Sequence, residues 1–378
     1  MKIAIVGLLH YPIAEPFAGG MESHTWWLAK KLIERGHEVT LFASGDSDPS
    51  LGLSPCLERA FSTPRPRPKA LVEKQEVSNK RAYAKVIRQI SHGQFDVVHN
   101  NALHPSLLMS AAKLTVPMLM VLHTPPYEEL AAAVSDANAH NASGKLAAVA
   151  VSNSLAREWG SLISTDVVYN GIDIDSWPFV AQPLSEQALW YGRIVPEKAP
   201  HLAIQAALKA GYSIQIAGPV GNPEYFKEQV LPLLAGDRVH YLGHLSHSGI
   251  KQALSRASVF VNTPMWEEPY GIVYAEALAS GTPVAAFDRG AAKEILDKRS
   301  GVVVTEKTVD VLAEAIGKAA TLSRHDCRQR AVSFCHIDSM IDGYERLYRQ
   351  LVQRQFALVQ PTPQAGGLAP VPLLGMAT

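Results

Sequence analysis

The sequence predicts an α/β protein of two successive domains, each built on its own parallel sheet, and three observations carry that prediction. The chain has 378 residues, more than one hydrophobic core usually serves. Short β-rich runs alternate with amphipathic helical stretches, the order expected of buried parallel sheets. The alternation breaks once, at Asn170-Gly171-Ile172-Asp173 and the polar stretch through Trp177-Pro178 to Gln182-Pro183-Leu184-Ser185, and then restarts. These place one domain at 1–180 and a second at 181–336, with a cleft expected between them.

In the first domain strands are expected at 3–6, 38–42, 96–99, 118–123, 147–151 and 167–169, with amphipathic helices over 20–35 and 72–90. In the second, strands are expected at 188–191, 213–217, 239–242, 259–261, 283–287 and 302–304. Over 337–354, Met340, Tyr344, Leu347, Tyr348 and Leu351 recur at spacings of three and four, which makes one amphipathic helix. From 355 to 378 the chain turns rich in Pro, Gly and Ala with almost no charge, so a disordered tail is expected there.

Lys+Arg and Asp+Glu both number 35, so no global field draws in nucleic acid or an anionic surface. The basic run Arg65, Arg67, Lys69 is proline-spaced and reads as a solvated loop. Cys56, Cys327 and Cys335 have no metal-type spacing and fit reduced thiols in a cytoplasmic protein. The chain enters directly into a strand with no signal-peptide pattern, and no apolar run approaches the roughly 18 residues that span a bilayer. The sequon Asn141-Ala142-Ser143 is accordingly read as incidental.

The densest chemical signal is Asn262-Thr263-Pro264-Met265-Trp266-Glu267-Glu268-Pro269-Tyr270-Gly271-Ile272-Val273-Tyr274-Ala275-Glu276. Pro269 disfavours helix at Glu268, which leaves Glu268 in a loop and Glu276 about one turn into the helix that follows. The helix end between them should present free N–H groups from about Tyr270 to Val273, with Gly271 allowing close approach, a setting that attracts a diphosphate. The two carboxylates accept hydrogen bonds, so hydroxyls of a sugar and a ribose are their natural partners. Upstream, Arg193 and Lys198 follow the first strand of the second domain and suit the charge of a diphosphate leaving group. In the first domain Gly19-Gly20 turns into a helix, and His123 ends a strand before Thr124-Pro125-Pro126, facing the expected cleft.

Gly19-Gly20, His123, Asn170-Gly171-Ile172-Asp173, Gly192-Arg193 with Glu197-Lys198, and the Glu-x7-Glu of Glu268 and Glu276 together resemble glycosyltransferase family 4, over roughly residues 1–354. The resemblance implies a GT-B fold: two Rossmann-like domains facing a cleft, with a C-terminal helix crossing back to the first. It implies that Arg193 and Lys198 hold the donor diphosphate and that Glu276 binds the ribose. Glu268, with the backbone of Tyr270, Gly271 and Ile272, would hold the transferred sugar, near His123. Val273 N–H and Gly20 would approach the phosphates. Main-chain groups of Leu245, in Leu242-Gly243-His244-Leu245, would meet the base, and Gly218 would border that pocket. The family transfers with retention and without metal, the leaving phosphate taking the acceptor proton. One departure is Ala199-Pro200, where the family often has glycine after Glu-Lys; it affects the local loop shape.

The function expected is transfer of a hexosyl group from a nucleotide sugar, UDP-glucose favoured, to a hydroxyl acceptor: a small molecule, a glycan or a lipid-linked sugar, with peripheral membrane contact allowed. The acceptor would be chosen by first-domain loops at 44–70 and 125–142. Two other readings share the ligand: a sugar-nucleotide 2-epimerase, for which no set of acids over the sugar C2 can be placed, and a non-catalytic binding module, which would have lost Arg193 and Lys198. Asp46-Ser47-Asp48 and Asp173-Ile174-Asp175 spell a metal-binding Asp-x-Asp but lie in a loop and at the domain boundary, so no metal is expected. A nicotinamide dehydrogenase is disfavoured because Gly7 opens no Gly-x-Gly-x-x-Gly.

Overall fold

The computed structural model describes residues 1–62, 68–111, 113–184 and 186–359. Arg65, Arg67, Ser185 and the stretch 360–378 of the expected tail lie outside the described residues.

Two parallel sheets form the frame. The first runs β1 (Lys2–Val6), β2 (Glu38–Ser44), β3 (Leu53–Leu57), β4 (Val97–Asn100), β5 (Met118–Leu122), β6 (Leu146–Ala150) and β7 (Thr165–Val167), in the spatial order β3-β2-β1-β4-β5-β6-β7. The second runs β8 (Gln187–Tyr191), β9 (Ser213–Ala217), β10 (Val239–Tyr241), β11 (Val259–Asn262), β12 (Val284–Phe287) and β13 (Gly301–Val304), in the order β10-β9-β8-β11-β12-β13. The central strands, such as Met-Leu-Met-Val-Leu of β5 and Val-Phe-Val-Asn of β11, are buried at every position. Helices cover both faces, so the strands read as continuous apolar runs.

Every strand expected from the sequence is present, β7 lying two residues before its expected place. β3 was not anticipated, because Pro55 sits in its middle. The strand is tolerated because it is the sheet edge, paired only with β2 and with a register shift at Ala43/Ser44. Two stretches expected as long loops are therefore corrected: 44–70 contains β3, and 125–142 contains a helix, Glu128–Ala139, with Leu130, Ala133, Val134 and Ala137 buried.

The strand order of each sheet reverses once, between β1 and β4 in the first and between β8 and β11 in the second. Ligands of open α/β sheets bind at the carboxyl ends of such switch-point strands. The segments leaving β8 and β11 carry Arg193 and Lys198, and Glu268, respectively.

The C-terminal helix, Ile337–Val359, runs five residues beyond its expected end and returns to the first sheet. Met340, Tyr344, Leu347, Tyr348 and Leu351 are all buried. Arg35 clasps its polar side through Asp338 (2.9 Å) and Asp342 (2.5 Å), and His37 Nε2 meets Glu345 at 2.9 Å. Beneath its start, Ile172 N donates to Cys335 O (2.9 Å) and Ile337 N to Ile172 O (3.0 Å), so the Asn-Gly-Ile-Asp segment serves as the crossing point of the two passes.

Candidate active site

The loop after β11 is held to the turn after β8 by backbone contacts. Met265 N donates to Glu197 O (2.8 Å), and the Thr263 hydroxyl donates to the carbonyls of Lys198 (2.9 Å) and Ala199 (3.0 Å). Pro196–Lys198 is a single 3-10 turn, and Ala199 caps the next helix, Pro200–Lys209, at φ 43° and ψ 52°. Alanine thus occupies a left-handed position that favours glycine, and Pro200 opens the helix where its missing N–H costs nothing.

These staples bring Lys198 Nζ onto Glu268 Oε2 in a short ion pair. Trp266 Nε1 donates to the same oxygen at 3.1 Å, and the ammonium lies 5.2 Å from the Trp266 ring centroid. Trp266 is a site residue that sequence reasoning missed, although it stands two places before Glu268. Arg193 is exposed and has no hydrogen bond or ion pair to a described residue.

The helix that follows is Ile272–Ala279, capped by Gly271 at φ 78°. The expected N–H donors at Tyr270 are therefore displaced toward Ile272 and Val273, the first helical residues; Tyr270 itself is buried. A Cβ at Gly271 would lie 2.6 Å from the Tyr274 ring, so both backbone angle and space require glycine. The far end of this helix is closed by guanidinium groups: Arg324 Nη2 donates to Ser280 O at 3.1 Å and Arg328 Nη1 to Ala279 O.

Glu276, one turn in, accepts from the Tyr191 hydroxyl at the end of β8. Burial pushes its carboxyl up to about 7, against the opposing pull of the Tyr191 hydrogen bond and the Lys251 charge. Tyr191 and Lys251 are further residues that the sequence did not flag. Gly218, at φ 138°, packs so closely on Gly192 that any Cβ would overlap the Gly192 carbonyl oxygen, and its N–H donates to Gly243 O (2.8 Å). The ends of β8, β9 and β10 thereby meet behind Arg193. Leu245 is half-buried just before the helix His247–Arg256.

The first sheet reaches this site at two points. An ideal Cβ on Gly20, the first residue of the helix Gly20–Glu34, would lie 3.6 Å from Ile272 Cγ2, so two helix starts face each other. Ser152 Oγ donates to Pro269 O (2.5 Å), and Glu294 accepts from Asn153 N (2.8 Å), Ser154 N (2.7 Å) and the Tyr169 hydroxyl (2.8 Å). No hydrogen bond joins His123 to the Lys198–Glu268 pair. Its Nε2 bonds Asn101 Oδ1 at 3.0 Å, and its ring meets that of His24 edge-on at 4.8 Å.

The two Asp-x-Asp segments serve the backbone and neighbouring side chains. Asp46 accepts from Ala60 N (3.0 Å), Asp48 caps the turn at Ser50 and accepts from Trp26 Nε1 (2.8 Å), and Asp175 approaches Arg328 at 3.9 Å. No helix among the described residues is long and apolar enough to cross a membrane.

Residues 18–176 match the model of Glycosyltransferase Family 4, and residues 175–333 match that of Glycosyl transferases group 1. The phosphatidyl-myo-inositol mannosyltransferase of Mycobacterium leprae is 28% identical over 342 residues, covering 85% of this chain and 88% of that protein. Sucrose-phosphate synthase from Thermosynechococcus elongatus superposes with a TM-score of 0.74 at 20% identity, over 94% of this chain and 99% of that one. An Anabaena protein solved in complex with UDP-glucose superposes with a TM-score of 0.69 at 19% identity, over 93% and 100%. Two parallel Rossmann-like sheets, a returning C-terminal helix and two adjoining family matches lead to one conclusion: the chain is a GT-B glycosyltransferase and belongs to glycosyltransferase family 4.

Proposed function

We propose that this glycosyltransferase moves a hexosyl group, with retention and without a metal, from a nucleoside diphosphate sugar to a hydroxyl acceptor. The observation that carries the reading is the Lys198–Glu268 pair, held beside Trp266 just before the start of the helix Ile272–Ala279. A donor would exchange with this pair: Lys198, joined by Arg193, turns to the diphosphate, and Glu268 turns to sugar hydroxyls. The N–H groups of Ile272 and Val273, with Gly20 opposite, meet the phosphates. Glu276 takes the ribose, main-chain groups at Leu245 take the base beside Gly218, and His123 lies near the sugar. Residues 1–180 act as the acceptor side and 181–336 as the donor side.

UDP-glucose is the first donor to test, and the Anabaena complex supports it. The mannosyltransferase relative puts mannose donors on the same panel. For the acceptor, a cavity of about 230 Å³ opens at the carboxyl ends of β1 and β4, lined by Leu8, Tyr83 and His104 among others. The adjacent helix Lys69–His92 exposes Val72 and Val77 among Lys69, Lys74, Lys80 and Arg81, which outnumber Glu73 and Glu76, the latter paired with Lys80 at 3.4 Å. That mixture favours a lipid-linked hydroxyl reached from a membrane surface, in line with the phosphatidyl-myo-inositol named for the relative.

A thermal-shift screen of uridine, guanosine and adenosine diphosphate hexoses tests the donor. At 100 times Kd the right one stabilises the protein by about 2.7 kcal/mol. Incubated alone, that donor should be slowly hydrolysed, and a chelator should leave the rate unchanged. Formation of its 2-epimer would favour an isomerase instead, and no stabilisation by any donor would remove the reading.

Glu276 gives a pH signature. Its raised value means that the native protein holds a proton that the unfolded chain has lost between about pH 4.5 and 7, so its contribution to stability falls as pH rises through that window. The ionised carboxylate binds hydroxyls more strongly. Affinity for a nucleotide sugar, whose diphosphate diester does not titrate there, should therefore rise from pH 6 to 8. Calorimetry should find that rise in the wild type and not in Glu276→Gln.

A further inference from the structure

Beneath the carboxyl ends of β1, β4 and β5 lies a buried hydrogen-bond chain that meets the donor site only through His123. Its members are Thr25, His99, Asn101, His123 and Tyr348, and His24 packs against it; Asn101 and His99 are fully buried, and His24 and His123 are 3% and 8% exposed. Donor and acceptor chemistry fixes the direction of each bond. The Thr25 hydroxyl donates to Met21 O at 2.9 Å, so toward Asn101 it can only accept. It does so from Asn101 Nδ2 at 3.1 Å, which fixes the amide and turns Oδ1 toward the histidines. That oxygen lies 3.0 Å from His99 Nε2 and 3.0 Å from His123 Nε2. A carbonyl oxygen only accepts, so both rings carry their proton on Nε2.

The far end closes consistently. His99 Nδ1, left as an acceptor, accepts a hydrogen bond at 2.6 Å from the Tyr348 hydroxyl of the returning C-terminal helix. Asn101 is itself pinned by its backbone N–H to Val6 O at 2.9 Å. Burial keeps the rings neutral: it pushes His99 down to about 3 and His24 to about 4, and takes His123 well below the ordinary histidine range, with His24 and His99 adding to the effect. A neutral His123 with Nε2–H engaged has one remaining polar atom, Nδ1, and it is an acceptor.

We propose that Asn101 is the positioning residue that holds His123 in the Nε2–H tautomer, so that His123 offers Nδ1 as a hydrogen-bond acceptor to a sugar hydroxyl, with Thr25 orienting the amide and Tyr348 of the returning helix anchoring it through His99. The role in transfer rests on the reading of His123 as a sugar-side residue; the tautomer itself does not. The arrangement also gives the returning helix a polar link to the first sheet's cleft end, beyond its apolar packing.

The test is the ring ¹⁵N spectrum of the full-length protein, with His123 signals identified by their loss in His123→Gln. Wild type should show His123 protonated at Nε2. Asn101→Leu and Thr25→Val should convert it to the Nδ1–H form or to a mixture, while Asn101→Asp, which keeps the accepting oxygen, should retain Nε2–H. In transfer assays, Thr25→Val should lower kcat by about 10-fold, the worth of one hydrogen bond to a reacting partner, with the donor KM little changed. An Nδ1–H tautomer in the wild type, or an Nε2–H tautomer that survives Asn101→Leu or, where that variant does not fold, Thr25→Val, overturns the proposal. Thr25→Val is nearly isosteric, so the test stands even if Asn101→Leu does not fold. Wild-type transfer by His123→Gln would instead remove the sugar-side role of His123, leaving the spectra to decide on Asn101.

Discussion

Glu268→Gln is expected to lower kcat/KM for transfer by about 10²–10³-fold, the usual loss when one preorganised electrostatic contact is removed. The amide keeps the shape and still accepts from Trp266 Nε1, but it no longer carries the charge that pairs with Lys198. The side chains of Lys198 and Glu268 are 21% and 13% exposed. Breaking the pair should therefore cost about 1–3 kcal/mol of stability, between the exposed and buried limits. A purely structural pair would lose activity only in step with unfolding. Steady-state transfer beside thermal melting separates the two, and transfer close to wild type would contradict the assignment.

The second large effect is structural. Arg324 is 7% exposed and donates to Val180 O (2.6 Å), Ala257 O (2.7 Å), Ser255 O (2.8 Å), Ser280 O (3.1 Å) and Thr282 Oγ1 (3.2 Å). Burial lowers its guanidinium to about 10, still protonated at neutral pH. It ties the segment between the two sheets to the end of the helix whose start builds the site. Arg324→Met fills the volume but leaves buried carbonyls unpaired, at about 1–3 kcal/mol each. Melting should fall by on the order of 10 °C. A melting point within a degree or two of wild type would show that water or a neighbour replaces the guanidinium.

The parallel sheets were legible because their strands are buried on both faces and announce themselves as apolar runs. β3 was not, since Pro55 breaks the pattern and only its edge position makes it tolerable. The helix Glu128–Ala139 was readable in principle from Leu130, Ala133, Val134 and Ala137, but its many alanines give a weak contrast between faces. In the site, Pro269 and Gly271 marked the turn and helix start, off by a residue or two. The partners of the marked residues were invisible. Tyr191 reaches Glu276 across 85 positions, Tyr348 reaches His99 across 249, and Arg324 serves carbonyls from three separate segments. No local periodicity encodes such contacts; strand order brings them together.

The central claim is that a nucleotide sugar displaces Glu268 from Lys198 and takes the ammonium for its own diphosphate. The most direct measurement is calorimetric affinity for the donor that stabilises the protein most, in wild type and in Lys198→Ala. Binding should be weaker by about 10-fold or more in the variant, roughly 1.4 kcal/mol or more. Equal affinity in the two proteins would contradict it.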